Sequence, residues 1–233
     1  MTLFIIMMNK IFSLALLISF NVLATEITEY KAKYQFDSEE ISITGVREFS
    51  KIDKGYELKF KASNLVASMY FSSLFDINEN GIKSSKYEIK IRPKFLKRNQ
   101  QIDFDYQSST VKSVGRNDWV SAFNTSEAAV DPLNAQIMIR KNIKNGVDEF
   151  SLNLINMKEG GVEKYDYKVS DITSCSFKQS SYKCVVLERL KEGSTRKTTY
   201  YLAEELDFMF IKITDVTEES TNTLELKEIL SFG

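Results

Sequence analysis

Asp103 and Asp105 stand either side of Phe104. In a strand two such carboxylates share one face, an arrangement that serves acid–base work or a hard cation. Ile102, Phe104 and Tyr106 take the opposite face, so the pair reads as a solvated outer surface. Glu204, Glu205 and Asp207 form a second acidic group. They lack the regular spacing of a calcium loop and fall where a turn is expected. Lys90, Arg92, Lys94, Lys97 and Arg98 surround Phe95. Such a cluster meets phosphates or an anionic envelope glycolipid, although lysine also keeps an exposed strand edge soluble. The chain has no histidine, which removes Ser-His-Asp and Cys-His mechanisms and every His-ligated metal. No nucleophile elbow and no Gly-rich phosphate loop is present. No catalytic residue, metal ligand or cofactor is therefore expected. The 31 basic and 32 acidic residues leave a net charge of -1, so nucleic acid is not an expected partner.

The two cysteines, Cys175 and Cys184, are the last chemically distinctive pair. Polar Lys178 to Ser181 reads as a turn between two short strands, and a hairpin brings the thiols within bonding reach. The C-x8-C spacing is not the C-x-x-C that tunes thiol reactivity, so a structural disulfide is expected. An oxidising compartment suits it.

The amino terminus supplies that compartment. Met8-Asn9-Lys10 begins a short positive region, and Ile11 to Phe20 is apolar but for Ser13 and Ser19. Asn21-Val22-Leu23-Ala24 follows, with Ala24 and Thr25 flanking the expected cut. This is the form of a secretory signal peptide over residues 1–24, with Met8 reading as the start. A retained anchor over Leu3–Leu23 is disfavoured by Asn9 and Lys10 in its middle. The expectation is a periplasmic protein with no permanent membrane span after cleavage.

Residues 25–233 read as one β-rich domain, with 43% hydrophobic residues for a core. Period-2 alternation recurs, as in Tyr30-Ala32-Tyr34-Phe36, Tyr56-Leu58-Phe60-Ala62 and Tyr165-Tyr167-Val169. Turns carry Asp53-Lys54-Gly55, Asn78-Glu79-Asn80-Gly81 and Lys191-Glu192-Gly193. A strand about every ten residues suggests a curved antiparallel sheet or a partly open β-barrel. Asp131-Pro132-Leu133 opens one helix near 131–145, with Asp131 as cap and Gly146 as stop. Its first half should be buried and its Arg140–Asn145 half exposed. The least periodic stretch, 117–130, is either a sub-boundary or a long loop on one sheet.

Several of these segments together resemble the exported bacterial family known as domain of unknown function 3108. The resemblance rests on Tyr30-x-Ala32-x-Tyr34, Asp103-Phe104-Asp105, Asp131-Pro132-Leu133, and Tyr200-Tyr201-Leu202-Ala203 leading into Leu206 to Ile213. It runs from about Tyr30 to Leu230. It implies a curved antiparallel β structure in the Gram-negative periplasm and carries no catalytic residues over. Phe210 stands where that family commonly has proline, and the Cys-bounded segment replaces a short Gly-containing turn before Val185.

The segment Leu65 to Phe75 has apolar residues on both faces. Leu65, Val66, Met69, Phe71 and Leu74, with Leu133 and Ile137 of the helix, are the candidate lining of an apolar cavity. The expected function is non-enzymatic binding of an envelope lipid, glycan or protein. A carrier of a lipid or other apolar ligand in a half-barrel cavity is the alternative. A glycan hydrolase using Asp103 or Asp105 is a second alternative.

Overall fold

The computed structural model describes residues 26–65, 67–78, 81–93, 98–191 and 193–233. The signal segment with Ala24 and Thr25, Val66, and Lys94, Phe95 and Lys97 of the basic cluster lie outside them.

The sheet grows outward from its own first strand. β1 (Tyr30–Asp37), β2 (Ser42–Ile52), β3 (Gly55–Ser63), β4 (Ser68–Asn78), β5 (Gly81–Arg92), β6 (Gln100–Asp105), β7 (Thr110–Gly115) and β8 (Trp119–Ala122) step away to one side as a meander. The chain then reappears at the opposite edge. β9 (Ala129–Val130) is followed by α1 (Asn134–Lys144), β10 (Glu149–Ile155), β11 (Val162–Phe177), β12 (Ser180–Leu190), β13 (Lys197–Ala203), β14 (Met209–Val216) and β15 (Thr221–Phe232). These return to pair β15 with β1, completing one 15-stranded sheet in the order β8 to β1, then β15 to β9. Each ladder is antiparallel except that between β9 and β10.

This connectivity requires a curled sheet. Fifteen flat strands at about 4.8 Å spacing would span roughly 67 Å. The link from Ala122 to Ala129 reaches at most about 25 Å. The two ends must therefore approach each other, and the 117–130 stretch holds β8, the 123–128 crossing and β9 of one continuous sheet.

Alternation places one set of side chains inside. Tyr30, Ala32 and Tyr34 of β1, Phe49 of β2 and Leu58 of β3 are almost fully buried. Ala135, Ile137, Ile139 and Ile143 of α1 pack into the same cluster. A smaller cluster of Tyr87, Ile102, Phe104, Val111, Phe123, Ala129 and Ile155 fills the region where the sheet ends meet. Gly55 makes its turn possible: its φ is +87° and a Cβ would stand 2.5 Å from the Phe75 carbonyl.

Two expectations need correction. The second half of α1 is not an exposed face, since Arg140 and Ile143 are buried while Lys141 and Lys144 are only half-buried. Arg140 follows Ile139 and shares a stripe with Ile143, so the core side of the helix reaches its last turn. The strands flanking the cysteines are not short: β11 has 16 residues and β12 has 11.

Candidate functional site

Closure of the sheet is made by side chains. Asp131 lies between β9 and α1, and its carboxylate is completely buried. Its Oδ1 accepts the N–H groups of Leu133 at 2.8 Å and Asn134 at 3.0 Å, on the turn that leads into α1. Ser73 of β4 donates to its Oδ2 at 2.6 Å. Asn134 returns a bond, accepting the Asp131 N–H at 2.9 Å, and donates to Ser84 of β5 at 2.9 Å. Ser84 donates to the Ala129 carbonyl at 2.7 Å. The β9 edge and the turn into α1 are thus stitched to β4 and β5, which lie inside the β8 edge of the sheet. Burial pushes the Asp131 carboxyl up to about 6, and the three hydrogen bonds offset only part of that.

A second stitch lies beside it. The Met157 carbonyl, between β10 and β11, accepts from Gln100 at 2.7 Å, Asn117 at 3.3 Å and Trp119 Nε1 at 3.4 Å. Gly161 N–H donates to Ser121 Oγ at 2.8 Å. Gly160 has φ +81°, and a Cβ there would stand 2.9 Å from the Trp119 ring. A glycine is what lets this loop lie on the indole.

Between the two stitches runs a groove of about 480 Å³. Phe71, Tyr87, Ile89, Ile91, Pro132 and Met157 form its apolar wall. Arg98, Arg116 and Lys158 stand at its margin, with Gln100 and Asn117 at its base. The base amides are already spent on Met157 and Ser113. The groove therefore offers an apolar slot and a cationic margin.

The residues singled out from sequence are dispersed. Phe71 lines this groove, and Met69 lines a separate hollow with Phe36, Ile41 and Ile91. Leu133 is half-buried between the two core clusters, and Ile137 is fully packed. Leu65 is fully exposed on the β3–β4 loop. Leu74 falls out of phase with the inward Phe71 and Ser73 and sits opposite Glu57 and Lys86. The described residues of the expected lining thus do not share one cavity: a small hollow of about 160 Å³ beside α1 is lined by Ala135, Gln136 and Ile139 instead of Leu133 and Ile137, and a larger groove lies at the seam. Ile89, Ile91, Tyr87 and Met157 were missed as lining residues. The alternation of Ile89 and Ile91 in β5 was visible, but not which strand would abut the seam, and Met157 sits in a loop with no period to read.

Asp103 and Asp105 project from the outer face of β6, opposite Ile102 and Phe104. Asp103 accepts from Gln101 at 2.7 Å. Asp105 accepts the N–H groups of Gln107 and Ser108 at 2.8 and 3.2 Å. Bonds from the Ser108 side chain and then these backbone groups hold its carboxyl below the usual range. Glu204 to Leu206 form a single 3-10 turn, as the turn reading expects. Asp207 ends it and binds Arg140 at 3.3 Å and Lys144 at 2.5 Å. Cys175 and Cys184 are disulfide-bonded, with Cα atoms 5.8 Å apart, diagonally across the β11–β12 ladder. Among the described residues, no group of three or more Cys, Asp or Glu is placed to hold a metal ion.

The family described as "Protein of unknown function (DUF3108)" matches residues 29–226. The chain belongs to this family. The match covers every strand from β2 to β14 and both stitches, so the seam lies within the DUF3108 region. No curated protein matches the chain. A crystal structure of a beta-barrel-like protein of domain of unknown function DUF1849 from Brucella abortus superposes with a TM-score of 0.60. It is 11% identical and the alignment covers 88% of this chain and 98% of that one. At that identity the likeness is one of fold. It agrees with the curled antiparallel sheet, and no helix among the described residues is long and apolar enough to cross a membrane.

Proposed function

We propose that this DUF3108 protein is an exported, periplasmic, non-enzymatic binding protein whose ligand is an amphipathic envelope molecule with an anionic head, such as a lipid. The seam groove carries this reading. Phe71, Ile89, Ile91 and Met157 offer an acyl chain an apolar wall, and its head meets Arg116 together with Arg98 and Lys158, whose pairs with Glu40 and Glu159 are exposed. The signal-like amino terminus and the disulfide fit an oxidising, exported setting. The arrangement of acids argues for binding over hydrolysis. Asp105 is occupied as a turn cap, and Asp131 is closed in beneath Ser73.

The test is native mass spectrometry on protein purified from its own periplasm without detergent, followed by organic extraction. A reproducible added mass that extracts as an acidic lipid is expected, and Ile91→Arg should abolish it while the protein stays folded. A bare mass, together with no displacement of a fluorescent fatty-acid probe by anionic lipid, would remove the proposal.

A further inference from the structure

The interior contains a charge that the groove does not explain. Arg47 of β2 is 1% exposed and Arg140 of α1 is 0% exposed. A guanidinium stays protonated when buried, so each needs partners for its fork of N–H groups. Arg140 is partly supplied. Its Nε and Nη2 donate to the Asp207 carbonyl at 3.2 and 3.0 Å, and Nη2 also reaches the Thr28 carbonyl at 3.3 Å. Its Nη1 is buried with no hydrogen-bond partner among the described residues. Arg47 fares worse. Its Nε and Nη2 are buried without a hydrogen-bond partner among the described residues, and the rings of Tyr34 and Phe210 each lie 5.8 Å from the guanidinium carbon. The Tyr30 hydroxyl is also buried and has no hydrogen-bond partner among the described residues.

These orphan donors converge. Tyr30, Ala32 and Tyr34 follow one another along the inner face of β1, and Arg47 sits opposite Ala32, the gap between the two rings. Arg140 lies over the Tyr30 ring at 5.2 Å. Burial disfavours the Arg140 charge, Tyr30, Asp207 and Tyr34 offset part of this, and Arg47 is close enough to disfavour it a little more. Asp207 pairs with Arg140 and is shared with Lys144, and no carboxylate among the described residues forms an ion pair with Arg47. Orphaned N–H and O–H groups that surround an uncompensated positive charge fit a bound anion.

We propose that a single chloride-sized anion sits between the Arg47 and Arg140 guanidiniums, with the Tyr30 hydroxyl as a further donor. The tight packing of Tyr34, Phe49 and Phe210 restricts the site to a small ion. A surface hollow of about 510 Å³ lies beside it, lined in part by Thr28, Tyr30 and Phe49. Glu26, Glu29 and Glu48 at that hollow disfavour multiply charged anions. The site is separate from the seam groove and its failure leaves that reading untouched.

Thermal unfolding in sodium chloride against sodium gluconate at constant ionic strength reads the effect. Each tenfold rise in chloride above its dissociation constant should raise Tm by roughly 3–6 °C. Arg47→Met should flatten this response. Crystals grown in sodium bromide should show an anomalous peak between the two guanidiniums, a result that does not depend on any variant folding. A Tm indifferent to halide, or bromide crystals without that peak, would overturn the proposal, as would an Arg47→Met protein that keeps the full chloride response.

Discussion

Asp131 sits where a carboxylate is costly. It is wholly buried, takes three hydrogen bonds, and still titrates at about 6. An unfolded aspartate titrates near 3.9, so the folded chain binds a proton more readily than the unfolded one. The linkage follows: below about pH 4 both states are protonated, and above about pH 6 both are ionised. Between these limits stability falls as pH rises, by of order 2–3 kcal/mol from this residue. Asp131→Asn keeps an acceptor for the Leu133 and Asn134 N–H groups and abolishes the titration. Its stability relative to wild type should rise across pH 4–6, as read by urea unfolding; parallel pH curves for the two proteins would contradict the burial argument. The Asp-Pro pair announced a helix start from the sequence alone. It could not announce that Ser73, 58 residues earlier, closes over the carboxylate. Arg47 was more legible than its type suggests, because Ile43, Gly45, Arg47 and Phe49 share one parity in an inward-facing strand.

Alternation made most of the strands readable, since half-buried strands expose a period of two to inspection. β9 escapes this because two residues have no period, and it exists only through its parallel pairing and the Ser84 bond. The helix start was legible for the same reason that its end was misread: the polar run after Ile139 hides Arg140, which the core takes with its charge. At this scale two devices are testable. Removing the disulfide with Cys175→Ser and Cys184→Ser should lower stability by about 2–3 kcal/mol on the chain-entropy model, without changing the sheet. Urea unfolding with the far-ultraviolet spectrum reads both. Gly160→Ala should cost about 1–3 kcal/mol, because φ +81° and the Trp119 ring both oppose a Cβ. Hydrogen exchange should quicken in residues 156–161 and 119–122 and not in the distant β1–β15 ladder; uniform acceleration would mean that the loop on Trp119 is not a local clasp.

The molecule as a whole is a sheet whose middle is continuous and whose ends are joined by side chains. β1 pairs with β15 along all of its own length, and Gly233 N–H reaches the Glu29 carbonyl at 3.1 Å, so the described chain's ends are neighbours. At the seam the two halves of the sheet meet through the 123–128 link, the small hydrophobic cluster and the stitches at Asp131 and Met157. Which of these holds the curl decides whether the groove survives independently of the link. A circular permutant, joining the ends by a short linker and opening the chain between Asn124 and Thr125, separates them. The stitches bury a carboxylate and the hydrogen-bonded side chains of Ser73, Ser84, Asn134 and Gln100, so they should hold without the link. Small-angle scattering should then give an unchanged radius of gyration, about 17 Å for a compact chain of this size. Loss of the link frees chain entropy, so Tm should fall by a few degrees while the fold persists. A permutant whose radius grows, with Trp119 newly exposed in fluorescence, would instead make the six-residue crossing the clasp, and the groove a consequence of chain connectivity alone.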